Sequence, residues 1–199
     1  MYKSLCMFVI MFAMMAFPVY ASNANPEGVR FVVMDSCKEK YGNELKNEIT
    51  AKLEKQLPGG EMISKDLREN TLEKLQLGDQ KDLNSLAKEL GSKYVLTVEI
   101  LPVKSDYSDL LYYKNIKTVA TLRIRLYNTI TQKYALSEDV IGRGSNTTWL
   151  PYTSIGKKPP VKEAVRKATE DGIKKINQSI ADSSVPPKDE GDPKVYLKI

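Results

Sequence analysis

Ile116-Lys117-Thr118-Val119-Ala120-Thr121-Leu122-Arg123-Ile124-Arg125-Leu126-Tyr127 alternates in character without a break. Successive side chains of an extended strand point to opposite faces, so Ile116, Thr118, Ala120, Leu122, Ile124 and Leu126 share one side. Lys117, Val119, Thr121, Arg123, Arg125 and Tyr127 share the other. One packed face and one wet face mark an antiparallel strand. Asn128 to Gln132 reads as a turn, and Lys133 to Gly144 as the return strand of a hairpin. Upstream, Tyr94, Leu96, Val98 and Ile100 line one face of a further strand. The stretch from Lys104 to Tyr113 between these strands reads as a loop.

Towards the N-terminus, Val29 to Asp35 is a short apolar run bounded by Gly28 and a polar cluster, a strand signature. Asn43 is placed to cap a helix carrying Leu45, Ile49, Leu53 and Leu57 on one stripe, stopped by Pro58-Gly59-Gly60. Glu61 to Ser64 suits a brief strand and Leu67 to Leu77 a helix. Asp82 then caps a short helix with Leu83, Leu86, Ala87 and Leu90 at helical spacing, closed by Gly91. A last helix carries Val161, Ala164, Val165, Ala168, Ile173, Ile176 and Ile180. The expected fold is α+β or mixed α/β, in the order βα(β)ααβββα. Its centre is a mixed sheet of about five strands with an antiparallel hairpin and helices packed on it.

The chain of 199 residues contains no His, two Cys and one Trp. Without an imidazole there is no Ser-His-Asp or Cys-His nucleophile, no His-ligated zinc and no haem held by a proximal His. Residues 1–21 read as a cleaved signal peptide: Lys3, an apolar run from Leu5 to Phe17, and the small-residue site Val19-x-Ala21. That run is shorter than the roughly 20 residues a spanning helix needs. An uncleaved anchor and cleavage after Ala24 are the alternatives. Cleavage after Ala21 predicts a secreted or periplasmic protein with one α/β domain over 22–181. A Pro-, Asp- and Lys-rich tail over 182–199 follows, in which Val195 to Ile199 suits a short edge strand. The processed chain keeps one thiol, Cys37, read either as a small buried apolar residue or as a reactive or intermolecular thiol.

Charge is uneven. Residues 35–90 carry 10 basic and 12 acidic side chains, whereas residues 114–143 carry six and two. Lys117, Arg123 and Arg125 share the wet strand face, so they form either a basic binding surface or a solvated face partly covered by helices. Two aromatic stretches stand out: Tyr107 with Leu110-Leu111-Tyr112-Tyr113, and Trp149-Leu150-Pro151-Tyr152. They read either as a contact surface for protein or a membrane interface, or as a lid folded over one end of the core. Asp35, at the end of the first strand, is read as a helix-capping or turn residue, with a functional acid as the alternative. Gly142-Arg143-Gly144 is too short for a phosphate loop and reads as a strand end or bulge.

The segment Leu86-Ala87-Lys88-Glu89-Leu90-Gly91-Ser92-Lys93-Tyr94-Val95-Leu96-Thr97-Val98-Glu99-Ile100 resembles one found in the curli-transport (CsgG-like) family and in the N-terminal domains of TolB-like envelope proteins. Leu122 to Lys133 resembles the strand-turn-strand that follows it there. Lys93 and Val98 stand where that family has Asp and Gly, and no lipoprotein cysteine is present. The resemblance implies a periplasmic, non-enzymatic scaffold and carries no catalytic residues. The leading expectation is therefore an envelope binding or assembly module that meets a protein partner or its own copies, with no cofactor, no metal and no nucleic acid. Two alternatives stand beside it. One is a basic module that binds an anionic envelope polymer or membrane through Lys117, Arg123 and Arg125; Tyr112, Tyr113, Trp149 and Tyr152 are separate candidate contact residues. The other is a His-free carboxylate hydrolase using residues such as Asp35.

Overall fold

The computed structural model describes residues 28–37, 39–63, 85, 89–110, 112–149 and 154–184. The expected signal peptide, the Leu67–Leu77 helix, the tail beyond 184, Tyr152 and most of the helix begun by Asp82 lie outside these residues.

Strand β1 (Val29–Asp35) leads into helix α1 (Gly42–Gln56) and the brief β2 (Glu61–Met62). Then come β3 (Tyr94–Ile100), β4 (Lys104–Leu110), β5 (Tyr113–Asn128), β6 (Lys133–Thr148) and helix α2 (Lys158–Ser184). The strands form one mixed six-stranded sheet. β1 pairs in parallel with β2 and β3, and β5 pairs antiparallel with β3, β4 and β6. The α+β class expected from the alternating pattern holds. Helix α2 runs through Ser184, so the expected domain end at 181 falls inside it.

The sixth strand corrects one reading. Lys104 to Leu110 is a strand, not a loop, and pairs residue for residue with Val119 to Tyr113. Lys-Ser-Asp-Tyr-Ser-Asp-Leu has no apolar face, so the period that reveals half-buried strands is missing. Backbone pairing with β5 orders it instead. β5 is 16 residues long and serves two neighbours on one edge, Ile100 to Tyr94 along its second half and β4 along its first. β6 flanks its whole length. The first half of β5, the second half of β6 and β4 therefore make a three-stranded arm that continues past the end of β3.

Both helices pack on one face of the sheet. Leu45, Ile49 and Leu53 of α1 and Val161, Ala164, Val165, Ala168 and Ile176 of α2 are buried there with Phe31, Val33, Leu96, Val98, Leu122, Ile124 and Leu126. The opposite face is also partly buried, since Val32, Val95 and Tyr127 are each no more than 2% exposed.

Two local readings are corrected. Helix α1 opens at Gly42 with Tyr41 as its cap residue and no side-chain cap, and Asn43 sits inside the helix. The Asp35 carboxylate stands against Gly42, where a Cβ would collide with it, and this places a negative charge at the helix N-terminus. Gly142-Arg143-Gly144 is neither a strand end nor a bulge, because it lies within β6 in regular register with Ala120, Val119 and Thr118. The irregularity falls at Leu126/Tyr127. Gly142 and Gly144 face α2: a Cβ on Gly142 would lie 2.7 Å from the Ala168 nitrogen, and one on Gly144 2.9 Å from the Ala164 nitrogen. The missing side chains let helix backbone rest on strand backbone. Gly59 and Gly91 stop their segments at φ 54° and 58°, where other side chains are strained.

Candidate functional site

At the C-terminal end of β1, Asp35 plays the local role expected of it: its Oδ1 accepts the Cys37 backbone N–H at 2.9 Å. Cys37 is buried, and its thiol is pushed up to about 11, first by burial and then by its hydrogen bond to Asp35. A thiol held protonated at neutral pH is a packing residue and a poor nucleophile. Ser36 Oγ donates to Glu99 Oε1 at 2.8 Å, and Lys157 Nζ donates to Glu39 Oε1 at 2.7 Å. Glu44 takes Lys158 at 2.5 Å and Lys162 at 2.7 Å. Lys52 and Arg166 converge on Glu170 at 3.1 and 2.9 Å. These pairs tie α1 to α2 and the helix entrances to the end of β1; their geometry is that of a clamp.

The three expected basic residues do not form one patch. Arg123 is committed within the sheet, to Asp139 at 3.1 Å and Glu99 at 3.7 Å, and Asp139 holds its guanidinium above its ordinary value. Arg125 is half-buried on the same face, above the body of the sheet. Lys117 lies in the arm, six residues from Arg123, or roughly 20 Å at ~3.4 Å per residue.

The arm gathers a different set. Cross-strand pairing puts Lys104, Val119 and Arg143 in one row on the face away from the helices, with Asp106, Lys117 and Ser145 in the next. Ser108, Asn115 and Thr147 follow, and Thr147 Oγ1 donates to Asn115 Oδ1 at 3.2 Å. Leu110 and Tyr113 pair at the tip beside Trp149, whose ring lies 4.9 Å from that of Tyr113 at 57°. An open recess of about 380 Å³ is lined by Asp106, Lys117, Val119, Arg143 and Lys167 among others.

Among the described residues of the aromatic stretches, most side chains stand in solvent and do not cover the core. Leu110 is 65%, Tyr112 70% and Trp149 72% exposed. Tyr107 is exposed as well, while Tyr113 is held under Trp149. The residues missed from the sequence as binding candidates are Lys104, hidden in a stretch read as a loop, and Arg143, hidden between two glycines. No side-chain period runs through Lys104 to Leu110, so nothing in the sequence of that stretch points to Lys104.

No family model and no curated relative matches this chain. Among solved structures it is similar to the hypothetical protein CT253 from Chlamydia trachomatis, at 16% identity and a TM-score of 0.52 over 78% of this chain and 99% of that one. This likeness fixes the fold. Lipoprotein GNA1162 from Neisseria meningitidis matches at 14% identity and a TM-score of 0.40, over 77% of this chain and 99% of that one. TolB from Acinetobacter baumannii matches at 17% and 0.41, over 78% of this chain and 29% of that one.

Proposed function

We propose that the protein is exported and works in the cell envelope as a non-enzymatic binding and assembly module, with the β4–β5–β6 arm as its working surface. The observation that carries this reading is the arm itself: Leu110, Tyr112 and Trp149, all exposed, stand together at one end of a rigid sheet. Large apolar side chains rimmed by polar ones mark an interaction surface. The apolar run and the Val19-x-Ala21 site support export, and the segment resembling curli-transport and TolB-like proteins supports a periplasmic scaffold.

The test has two parts. Fractionation with N-terminal sequencing of the processed chain is expected to find it in the envelope, beginning at Ser22. Size-exclusion chromatography with light scattering is expected to show a discrete oligomer, or a complex captured by a photo-crosslinker at Tyr112 in intact cells. A cytoplasmic chain with its leader intact overturns the export reading. A monomer at low and high salt, with no crosslink from Tyr112, overturns assembly. The basic rows around Val119 favour a second reading, contact with an anionic surface.

A further inference from the structure

We infer that the tip of the β4–β5–β6 arm docks on an anionic phospholipid bilayer, with Leu110, Tyr113 and Trp149 entering the interface and Lys104, Lys117 and Arg143 meeting the headgroups. The inference rests on the envelope reading above and names the surface the arm meets.

The arm is graded along its length on one face. At the tip are Leu110, Tyr113 and Trp149; next comes the hydroxyl and amide row of Ser108, Asn115 and Thr147; then the rows holding Lys104, Lys117 and Arg143. Trp and Tyr favour the boundary between acyl chains and headgroups, where an apolar ring body and a polar edge are both satisfied. Residues lying in that zone bury about 5–10 Å into it. From Tyr113 to Lys117 is four residues, about 14 Å of strand. The Lys117 stem reaches back along the surface, so its charge can sit at phosphate level while the rings sit below it. Lys104 and Arg143, in the Val119 row about 20 Å from Tyr113, meet the headgroups with the arm lying tilted on the surface.

The charge fits one occupant. Residues 104–119 and 143–149 carry four basic and two acidic side chains. Asp109 faces Lys114 at 3.7 Å on the other side of the arm, and Asp106 lies across from Lys117. Lys104 and Arg143 flank Val119 on that face, whereas Lys167, at the edge of the recess beside Lys117 and Arg143, is paired with Glu163 at 2.7 Å and is not one of the docking cations. An extended anionic surface satisfies cations spread over three strands and accepts a small apolar tip beside them. An acidic protein would have to supply an apolar socket for Leu110 and Trp149 at the same spacing. In the body of the sheet, by contrast, Arg123 is already spent on Asp139 and Glu99.

The chain contains a single Trp, and it stands at the tip, so its fluorescence reports on the site alone. The experiment uses the processed chain recovered after export, mixed with vesicles of phosphatidylcholine alone or with phosphatidylglycerol, at low and high salt. Flotation with the anionic vesicles is expected, together with a blue shift of Trp149 emission and its quenching by lipids brominated on the acyl chains. Lys104→Gln/Lys117→Gln/Arg143→Gln should weaken partitioning about a hundredfold at low salt, at about 1 kcal/mol per basic group. Lys104→Arg/Lys117→Arg together should leave it unchanged, and high salt should weaken it as the Debye length shrinks. Arg123→Gln should have no effect. Leu110→Ser/Trp149→Ser should float poorly although its circular dichroism and melting match the parent chain.

Equal binding to neutral vesicles, binding that resists the triple substitution, or vesicle-bound protein whose Trp149 stays unshifted and unquenched would each overturn the inference. So would Trp149 shielding by an acidic protein in cells with no vesicle binding in vitro. An exported chain that fails these tests sinks the lipid inference and leaves the envelope module standing. A chain that is never exported sinks both.

Discussion

Gly142 of β6 and Ala164 of α2 meet backbone to backbone: a Cβ on Gly142 would collide with the Ala164 carbonyl oxygen and lie 2.7 Å from the Ala168 nitrogen. Two residues along, Gly144 stands in the same relation to the Pro160 carbonyl and the Ala164 nitrogen. Helix α2 therefore lies on β6 at a distance only hydrogen side chains permit. Its first turns are set against the base of the arm as a result.

Gly142→Ala and Gly144→Ala should each destabilise the fold by about 1–3 kcal/mol, because the added methyl meets backbone, which cannot turn aside. In a chain of this size that is a fall of roughly 2–4 °C in melting temperature per kcal/mol. Thermal unfolding by circular dichroism checks it. An unchanged Gly142→Ala melt would show that α2 can lift from the sheet at no cost.

The thiol of Cys37 should resist modification. It is buried beside Asp35 and titrates near 11, so its thiolate is scarce at neutral pH. Ellman's reagent at pH 8 is expected to react far more slowly with the native chain than with the chain in guanidinium. The raised value means that the stability Cys37 contributes is full below its unfolded pKa and is lost as pH rises towards 11. Equal rates in both states would refute this burial.

Glu44 answers to acid. Hydrogen bonds from Lys158 and then Lys162 hold its carboxyl down at about 2. Its contribution is present above the unfolded carboxylate range, near pH 4.3, and is lost as pH falls through the folded value. The difference in melting temperature between the parent chain and Glu44→Gln should be visible at pH 6. It should shrink below about pH 4.5 and close near pH 2. Added salt should reduce it throughout, since the pair is solvent-exposed.

Arg123 and Asp139 form an exposed cross-strand pair, and a double-mutant cycle with Ala at each position should give a coupling under about 1 kcal/mol. Urea unfolding of the four chains measures it. A coupling of several kcal/mol would mean that this pair, more than the packing beneath it, holds β5 to β6.

Much of the fold was readable from period alone. The alternation of Ile116 to Tyr127 put Leu122, Ile124 and Leu126 in the core, and the helical spacing of Leu45, Ile49 and Leu53 and of Val161, Ala164 and Val165 did the same for the helices. β4 was not readable, because hydrophobic period reports burial and Lys104 to Leu110 has little. Its order comes from backbone hydrogen bonds, which leave no mark on side-chain pattern. The candidate site was half readable. Tyr112, Tyr113 and Trp149 announced themselves as aromatics outside any apolar stripe. Lys117, Arg123 and Arg125 shared a strand face as expected, yet two of the three lie over the body of the sheet.

What the sequence by itself determined is each element's buried face and the chemistry the chain forgoes, since apolar spacing and the lack of any imidazole are properties of the chain before it folds. Tertiary structure alone decided which charges are free. Asp139 sits 16 residues from Arg123 and Arg143 sits 24 residues from Val119, and only strand register makes the first a partner and the second a neighbour. Ion pairing depends on a few ångströms of separation, and that separation exists only once β6 has folded back along β5.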